Sequence, residues 1–353
     1  MKVLPDPVGA RNWNPNVTVI EKIKKLSRTE RLIKLRERLL DSKQQLYIKE
    51  RGKLVTESYK ATVGEDANIR QAKALAHILE NYPVYIREDE LIVGAVTPTP
   101  RGCLWFPEVC DWLINEIDTI STREYNPTLV SEEDKEFYKK EIHPYWKDRC
   151  SYARIQKQLP DEVREKQKYG LWSCGISMEQ PIGHILSLDK NRLEHGLKWY
   201  KEEAQRLIET SDQADPKYID KIQFWKSIII ICDAVHTFAI RYATEAEKMA
   251  VTCKDEKRKT ELEKISETLK KVPSNFYEAV QSAWFMQLIY YYESNAVAES
   301  PGRVDQKLYT YFKKDLDNGT ISLEEAEDIV ACYWLKLAET NKVYTQGESR
   351  YRT

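Results

Sequence analysis

Between Pro216 and Pro273 the chain runs from Lys217 to Val272 without a glycine or a proline. Those two residues are the strongest breakers of regular structure, so this stretch is committed to helix. Phe224, Ile228, Ile231, Val235, Phe238 and Tyr242 recur along it at helical spacing and make one wide apolar face, as in a buried helix. A chain with such a helix at its centre must wrap further helices around it.

The rest of the sequence offers candidates. Residues 17–50 carry Ile23, Leu26, Leu32, Leu35 and Leu39 at helical spacing among many charges. Residues 66–82 form an amphipathic stretch that Pro83 ends. Helices are expected over 107–118, 131–140 (with Ser131 as N-cap and Asp134 three residues on), 189–210, 276–292 and 304–317. Ser322 with Glu325 predicts a capping box and a helix to about 341. Leu91–Val96 is a short apolar run between charged and proline-rich flanks and reads as a buried strand. Residues 143–183 read as irregular. The expectation is one helix-dominated domain with a few short buried strands.

Basic and acidic side chains nearly cancel, at formal net charge −1, which gives no basic patch for nucleic acid or an anionic membrane. Met1–Gly9 has no apolar core of a signal peptide, and the longest apolar run, Ile228–Cys232, is too short to span a bilayer. The seven cysteines are odd in number and form no CxxC, which fits reduced thiols better than disulfides or a zinc site. A cytoplasmic protein is expected. Cys232 and Cys332 lie in apolar helical stretches and read as core. Cys103, Cys150 and Cys174 fall in loops, where a functional role is harder to dismiss, although none has the neighbours of a nucleophile.

Two segments read as candidate sites. In Ile182-Gly183-His184, the histidine either faces a substrate and moves a proton or simply caps a helix. The polar loop Glu293–Arg303 joins an apolar helix to the next one, a position where binding residues gather. Arg303 and Asp305 at its end either clamp a carboxylate or pair with one another, and pairing is favoured. No dinucleotide, P-loop, zinc-protease or nucleophile-elbow motif occurs.

Taken in order, several segments resemble the N-terminal half of glycyl radical enzymes of the pyruvate formate-lyase-like kind. They are Glu90-Leu-Ile-Val-Gly94, Pro100-Arg101, Pro107-Glu108, Trp112, Asp118–Arg123, His143–Arg149, Gly183-His184, Arg241–Glu247, Val272-Pro273, Phe276–Gln281 and Ser300–Tyr309, the last being the most specific. The resemblance implies an α/β, helix-dominated fold, the N-terminal portion of a ten-stranded α/β barrel in which about one half-barrel is wrapped by helices. It implies thiyl-radical chemistry on a small organic substrate, of the lyase or formate acetyltransferase type. A glycyl radical would be installed by an S-adenosylmethionine-dependent iron–sulfur activating enzyme.

Family members are roughly twice this length, and a core of that size buries more of its surface than this piece can. The radical cysteine and glycine belong to the later part of the family's chain, so no catalytic residue is assigned in residues 1–353. The expected partners are that C-terminal half or a second polypeptide, the activating enzyme, the small substrate and a second copy in a homodimer. The resemblance places His184, Val297, Ala298 and Ser300 at the substrate and Arg303 and Asp305 as structural residues beside it. In the diol-dehydratase branch a Gly-His-Ser stretch meets the substrate hydroxyls where this chain has Ala296-Val297-Ala298. Losing those polar groups removes hydrogen bonds a buried hydroxyl needs, so glycerol and propanediol are disfavoured. The competing reading is a non-catalytic helical remnant or a partner-binding scaffold.

Overall fold

The computed structural model describes residues 29–168, 185–294 and 299–349. Helices dominate. The glycine- and proline-free stretch forms α9 (Tyr218–Thr252) and α10 (Glu256–Leu269), which pack against each other. The break between them needs neither breaker residue. Asp255 caps the second helix by accepting hydrogen bonds from the Lys257 and Arg258 amides at 2.9 and 3.2 Å, and this local bond competes successfully with continued helix. Helices α8 (Lys190–Thr210) and α3 (Ala67–Asn81) flank α9.

By length and composition alone α9 would suffice to cross a membrane. Here Val235, Phe238, Tyr242, Ala246 and Ala250 of its C-terminal part are buried among neighbouring helices, whereas Phe224 is exposed and Ile228 and Ile231 are half-buried. The single wide buried face expected of it therefore holds over its second half only.

Several expected helices form as read. Helix α3 is capped by Asp66 and stops before Pro83. Helices α11 (Phe276–Glu293), α12 (Val304–Asp317) and α13 (Leu323–Glu339) follow, and Ser322 and Glu325 make both hydrogen bonds of the capping box. Gly196 divides α8 with a φ of 71°. A Cβ there would lie 2.8 Å from Val272 Cγ2, so the bend and the packing of Val272 both require glycine.

Other expectations are corrected. Of the helical stretch expected over 17–50, residues 17–28 lie outside the described residues and the rest is not one helix: α1 (Glu30–Asp41) ends, β1 (Gln45–Tyr47) follows, and α2 (Lys49–Ala61) begins anew. Leu46 and Ile48 are completely buried there, which an amphipathic helix would not achieve at both positions. Over 107–118 only one 3-10 turn forms, Trp112–Asn115. Conversely, 143–168 is more regular than expected. After α4 (Glu132–Phe137, capped by Ser131) and a π-turn come α5 (His143–Trp146), α6 (Ser151–Gln158) and α7 (Asp161–Lys168).

Among the described residues the only strand pair is β1 with β2 (Gly102–Leu104), which run parallel, with single parallel bridges at Gln45–Leu129 and Leu186–Ser300. Pairing is parallel, but a half-barrel is not seen in these residues.

Leu91–Val96 is not a strand. It is irregular, with bends at Leu91, Ile92 and Val96, it is buried from Ile92 to Val96, and its backbone is hydrogen-bonded by side chains instead of a neighbouring strand. Gln281 and Trp284 of α11 bond Val93 and Gly94. Tyr277 donates to Leu91 O at 3.0 Å, Tyr292 to Ala95 O at 2.8 Å and Tyr82 to Val96 O at 2.8 Å, while Tyr242 accepts from the Ala95 amide at 3.3 Å. Every one of those tyrosines is almost wholly buried. The apolar pattern correctly signals burial, but burial of a backbone demands partners for its amides and carbonyls, and phenols can supply them as well as a ladder can.

Candidate functional site

Four elements meet at the polar loop singled out in the sequence: the segment 185–188, the end of α11, residues 299–303 and the segment after α13. The Ser300 amide donates to Ile185 O at 3.2 Å, and Ser300 O accepts from the Ser187 amide at 3.2 Å. Ser187 is buried, and its hydroxyl bonds Gln287 Oε1; Gln287 Nε2 in turn donates to Glu299 O at 3.1 Å. Thus Gln287, six residues before the end of α11, ties both segments down.

The charge at this junction is acidic and poorly solvated. The Glu299 side chain is 2 % exposed, neither carboxylate oxygen has a hydrogen-bond partner among the described residues, and Lys342 Nζ stands 4.0 Å from Oε2. Burial pushes the Glu299 carboxyl up to about 7, against the pull of Lys342 and with a further push from Glu293. Burial likewise raises Glu293, against the attraction of Arg51. Arg51 is fixed from beneath: it donates to Tyr292 O at 2.8 Å, to both oxygens of Glu108, and lies 3.7 Å over the Phe106 ring. Together these residues hold a buried carboxyl that changes protonation near neutrality, next in sequence to residues 295–298, which lie outside the described residues. That is the requirement for moving a proton to or from a bound molecule.

Of the residues picked from sequence, His184, Val297 and Ala298 lie outside the described residues, as does Cys174. Ser300 is exposed and contributes its backbone to the bridge with Leu186. Arg303 and Asp305 are also exposed and do not pair. Arg303 is the N-cap residue of α12 and donates to Gln306 Oε1 at 3.5 Å, while Asp305 sits in the first helical turn, where a negative charge is favoured by the helix dipole. With each charge satisfied locally, the expected ion pair has no role.

Cys103 and Cys150 are buried rather than loop-exposed; burial pushes the Cys103 thiol far up and the Cys150 thiol up to about 11, so neither is a nucleophile. Cys232 and Cys332 are buried as expected. Glu293, Glu299, Lys342 and Arg51 escaped the sequence reading. The two glutamates bracketing a run of small apolar residues were the available signal.

A family model described as pyruvate formate lyase-like matches residues 21–352. The chain belongs to this family. Its relatives in the pyruvate formate lyase-like family include the isethionate sulfite-lyase of Oleidesulfovibrio alaskensis, 34 % identical over 310 residues, an alignment covering 84 % of this chain and 37 % of that enzyme. A solved structure on 1,2-propanediol dehydration in Roseburia inulinivorans is similar with a TM-score of 0.88 and 36 % identity, covering 92 % of this chain and 39 % of the other. A glycyl radical enzyme from Archaeoglobus fulgidus is similar with a TM-score of 0.81 and 36 % identity, covering 89 % and 41 %. These relatives put the chain among glycyl radical enzymes of the dehydratase and lyase branch. The chain spans about two fifths of their length, from 37 % to 41 %.

Proposed function

We propose that this chain is the N-terminal part of a cytoplasmic glycyl radical lyase and forms one wall of its substrate cavity. The observation that carries the reading is the family match over residues 21–352, combined with coverage of only 39 % of the propanediol-dehydration structure. In this reading the thiyl cysteine and the glycine that stores the radical lie in the part of the family's length that this sequence does not span. An S-adenosylmethionine-dependent iron–sulfur enzyme installs the radical there. His184, Val297, Ala298 and Ser300 line the substrate, and Glu299 holds or yields a proton beside them.

The substrate is a small organic molecule with an apolar portion, and neither glycerol nor propanediol. Ala296-Val297-Ala298 offers no side-chain hydrogen bonds to a pair of hydroxyls, and an unmatched hydroxyl in a closed site costs roughly 1–3 kcal/mol. The test is electron paramagnetic resonance after anaerobic incubation with a matching activating enzyme. This chain together with a polypeptide supplying the remaining family length is expected to give a glycyl doublet. The chain by itself is expected to give none, and a doublet from it would overturn the assignment. Turnover of glycerol or 1,2-propanediol by the assembled enzyme would overturn the substrate reading.

A further inference from the structure

A second cleft opens between α8, α9 and α11, with a volume of about 390 Å³, and uses none of the residues assigned above. Arg192 of α8 lines it and is 7 % exposed. Its Nη1 donates to Ser282 Oγ at 2.6 Å, yet Nε and Nη2, both buried, have no hydrogen-bond partner among the described residues. Asp189, the carboxylate that attracts it most, is engaged elsewhere, accepting from the Tyr200 hydroxyl and from the Arg192 backbone amide.

The lysines lining the same cleft are all matched by carboxylates: Lys201 with Asp233 at 2.6 Å, Lys271 with Glu278 at 2.8 Å, Lys198 with Glu202 at 3.5 Å and Lys270 with Glu247. Arg192 is therefore the one lining cation without a carboxylate partner among the described residues. A buried guanidinium with one hydrogen bond is an expensive arrangement, and desolvation lowers its pKa to about 10. Its planar fork of donors matches an oxyanion in two-point fashion. Next to it Val235, Phe285 and Met286 give the cleft an apolar wall.

We propose that this cleft binds a small organic oxyanion, with its carboxylate or phosphate on Arg192 and its apolar body against Phe285 and Met286. The volume accommodates a ring-sized molecule and exceeds what a bare phosphate fills.

The experiment is titration of the full 353-residue chain with phenylphosphate, benzoate and inorganic phosphate at constant ionic strength, followed by calorimetry and by the thermal unfolding midpoint. Saturable binding with a rise in Tm is expected for at least one aromatic anion. That anion is expected to bind more tightly than inorganic phosphate, and whichever aromatic anion binds more tightly names the headgroup. Arg192→Met is expected to weaken binding by about tenfold or more, the loss of a charge-assisted hydrogen bond. Should that variant fail to fold, His236→Glu reads the same point, because His236 is exposed on the cleft rim and a carboxylate there repels an anion. Absence of saturable binding, tighter binding of inorganic phosphate than of either aromatic anion, or unchanged affinity in the folded variants would overturn the proposal.

Discussion

Gln281 holds both backbone polar groups of Val93. Its Oε1 accepts from the Val93 amide at 2.8 Å and its Nε2 donates to the Val93 carbonyl at 2.9 Å. A side-chain amide thus imitates the edge of a neighbouring strand at a position where both residues are completely buried.

Replacing Gln281 with leucine keeps the volume close and removes both partners at once. Two buried backbone groups would be left unmatched, at roughly 1–3 kcal/mol each. Urea denaturation should show a loss of about 2–6 kcal/mol. A loss under 1 kcal/mol for the leucine variant would mean that the segment finds other partners.

Glu90, just before the same segment, lies in a buried charge cluster. Its carboxylate meets Lys336 and Arg87, and Glu339 bonds both of those cations. Glu90 and Lys336 are 1 % and 3 % exposed. Lys336→Met alone should destabilise by about 3–5 kcal/mol, since it strands buried carboxylates. The double variant Glu90→Gln, Lys336→Met should be less destabilised than the two single losses added together. Additivity in this cycle would show that the pair is not coupled.

Gly94 has a φ of 116°, and a Cβ there would come within 2.7 Å of Leu288 Cδ2. Gly94→Ala combines backbone strain with a clash in a packed core, and a loss of about 2–4 kcal/mol is expected. Thermal unfolding checks it, with Gly64→Ala as the control: Gly64 also has positive φ but nothing within 4 Å. Equal losses at the two glycines would show that the clash contributes nothing.

The raised Glu299 carboxyl makes stability depend on pH. The folded state holds its proton up to about pH 7, whereas the unfolded chain releases it near 4.5, so the folded state binds more protons between those values. Stability from this group is present below pH 4.5 and is lost as pH rises through 7, with a slope of at most about 1.4 kcal/mol per pH unit. Denaturation at pH 5 and pH 7.5 should show Glu299→Gln losing less stability over that interval than the parent chain. Parallel profiles would mean that the carboxyl is ionised throughout.

How much of this was legible in the sequence depended on whether the deciding interaction was local. Ser322 with Glu325, Asp66 and Ser131 announce helix starts because a cap needs only three or four neighbouring residues. Asp255 carries the same local signal inside the glycine-free run, where no breaker residue is needed for α9 to give way to α10. The strand expected at Leu91–Val96 failed because its apolar pattern reports burial and is silent on who supplies the hydrogen bonds; those partners are up to 197 positions away. The acid junction was half visible. Glu293 and Glu299 stand close in sequence, but nothing local tells that Lys342 and Arg51 come to them.

The clamping of Leu91–Val96 also bears on the order in which the molecule acquires its structure. A strand can pair with a hairpin neighbour early; this segment cannot, because the side chains from α9 and α11 that hold it are separated from it by 147 to 197 positions. Loop closure of that length must come first, a route that is slow in folding chains. The amides of Val93 and Ala95 should therefore acquire protection from hydrogen exchange only once α3, α9 and α11 have assembled. In the native protein they should exchange only when the whole assembly opens, so this buried segment would be set last and released only with the rest.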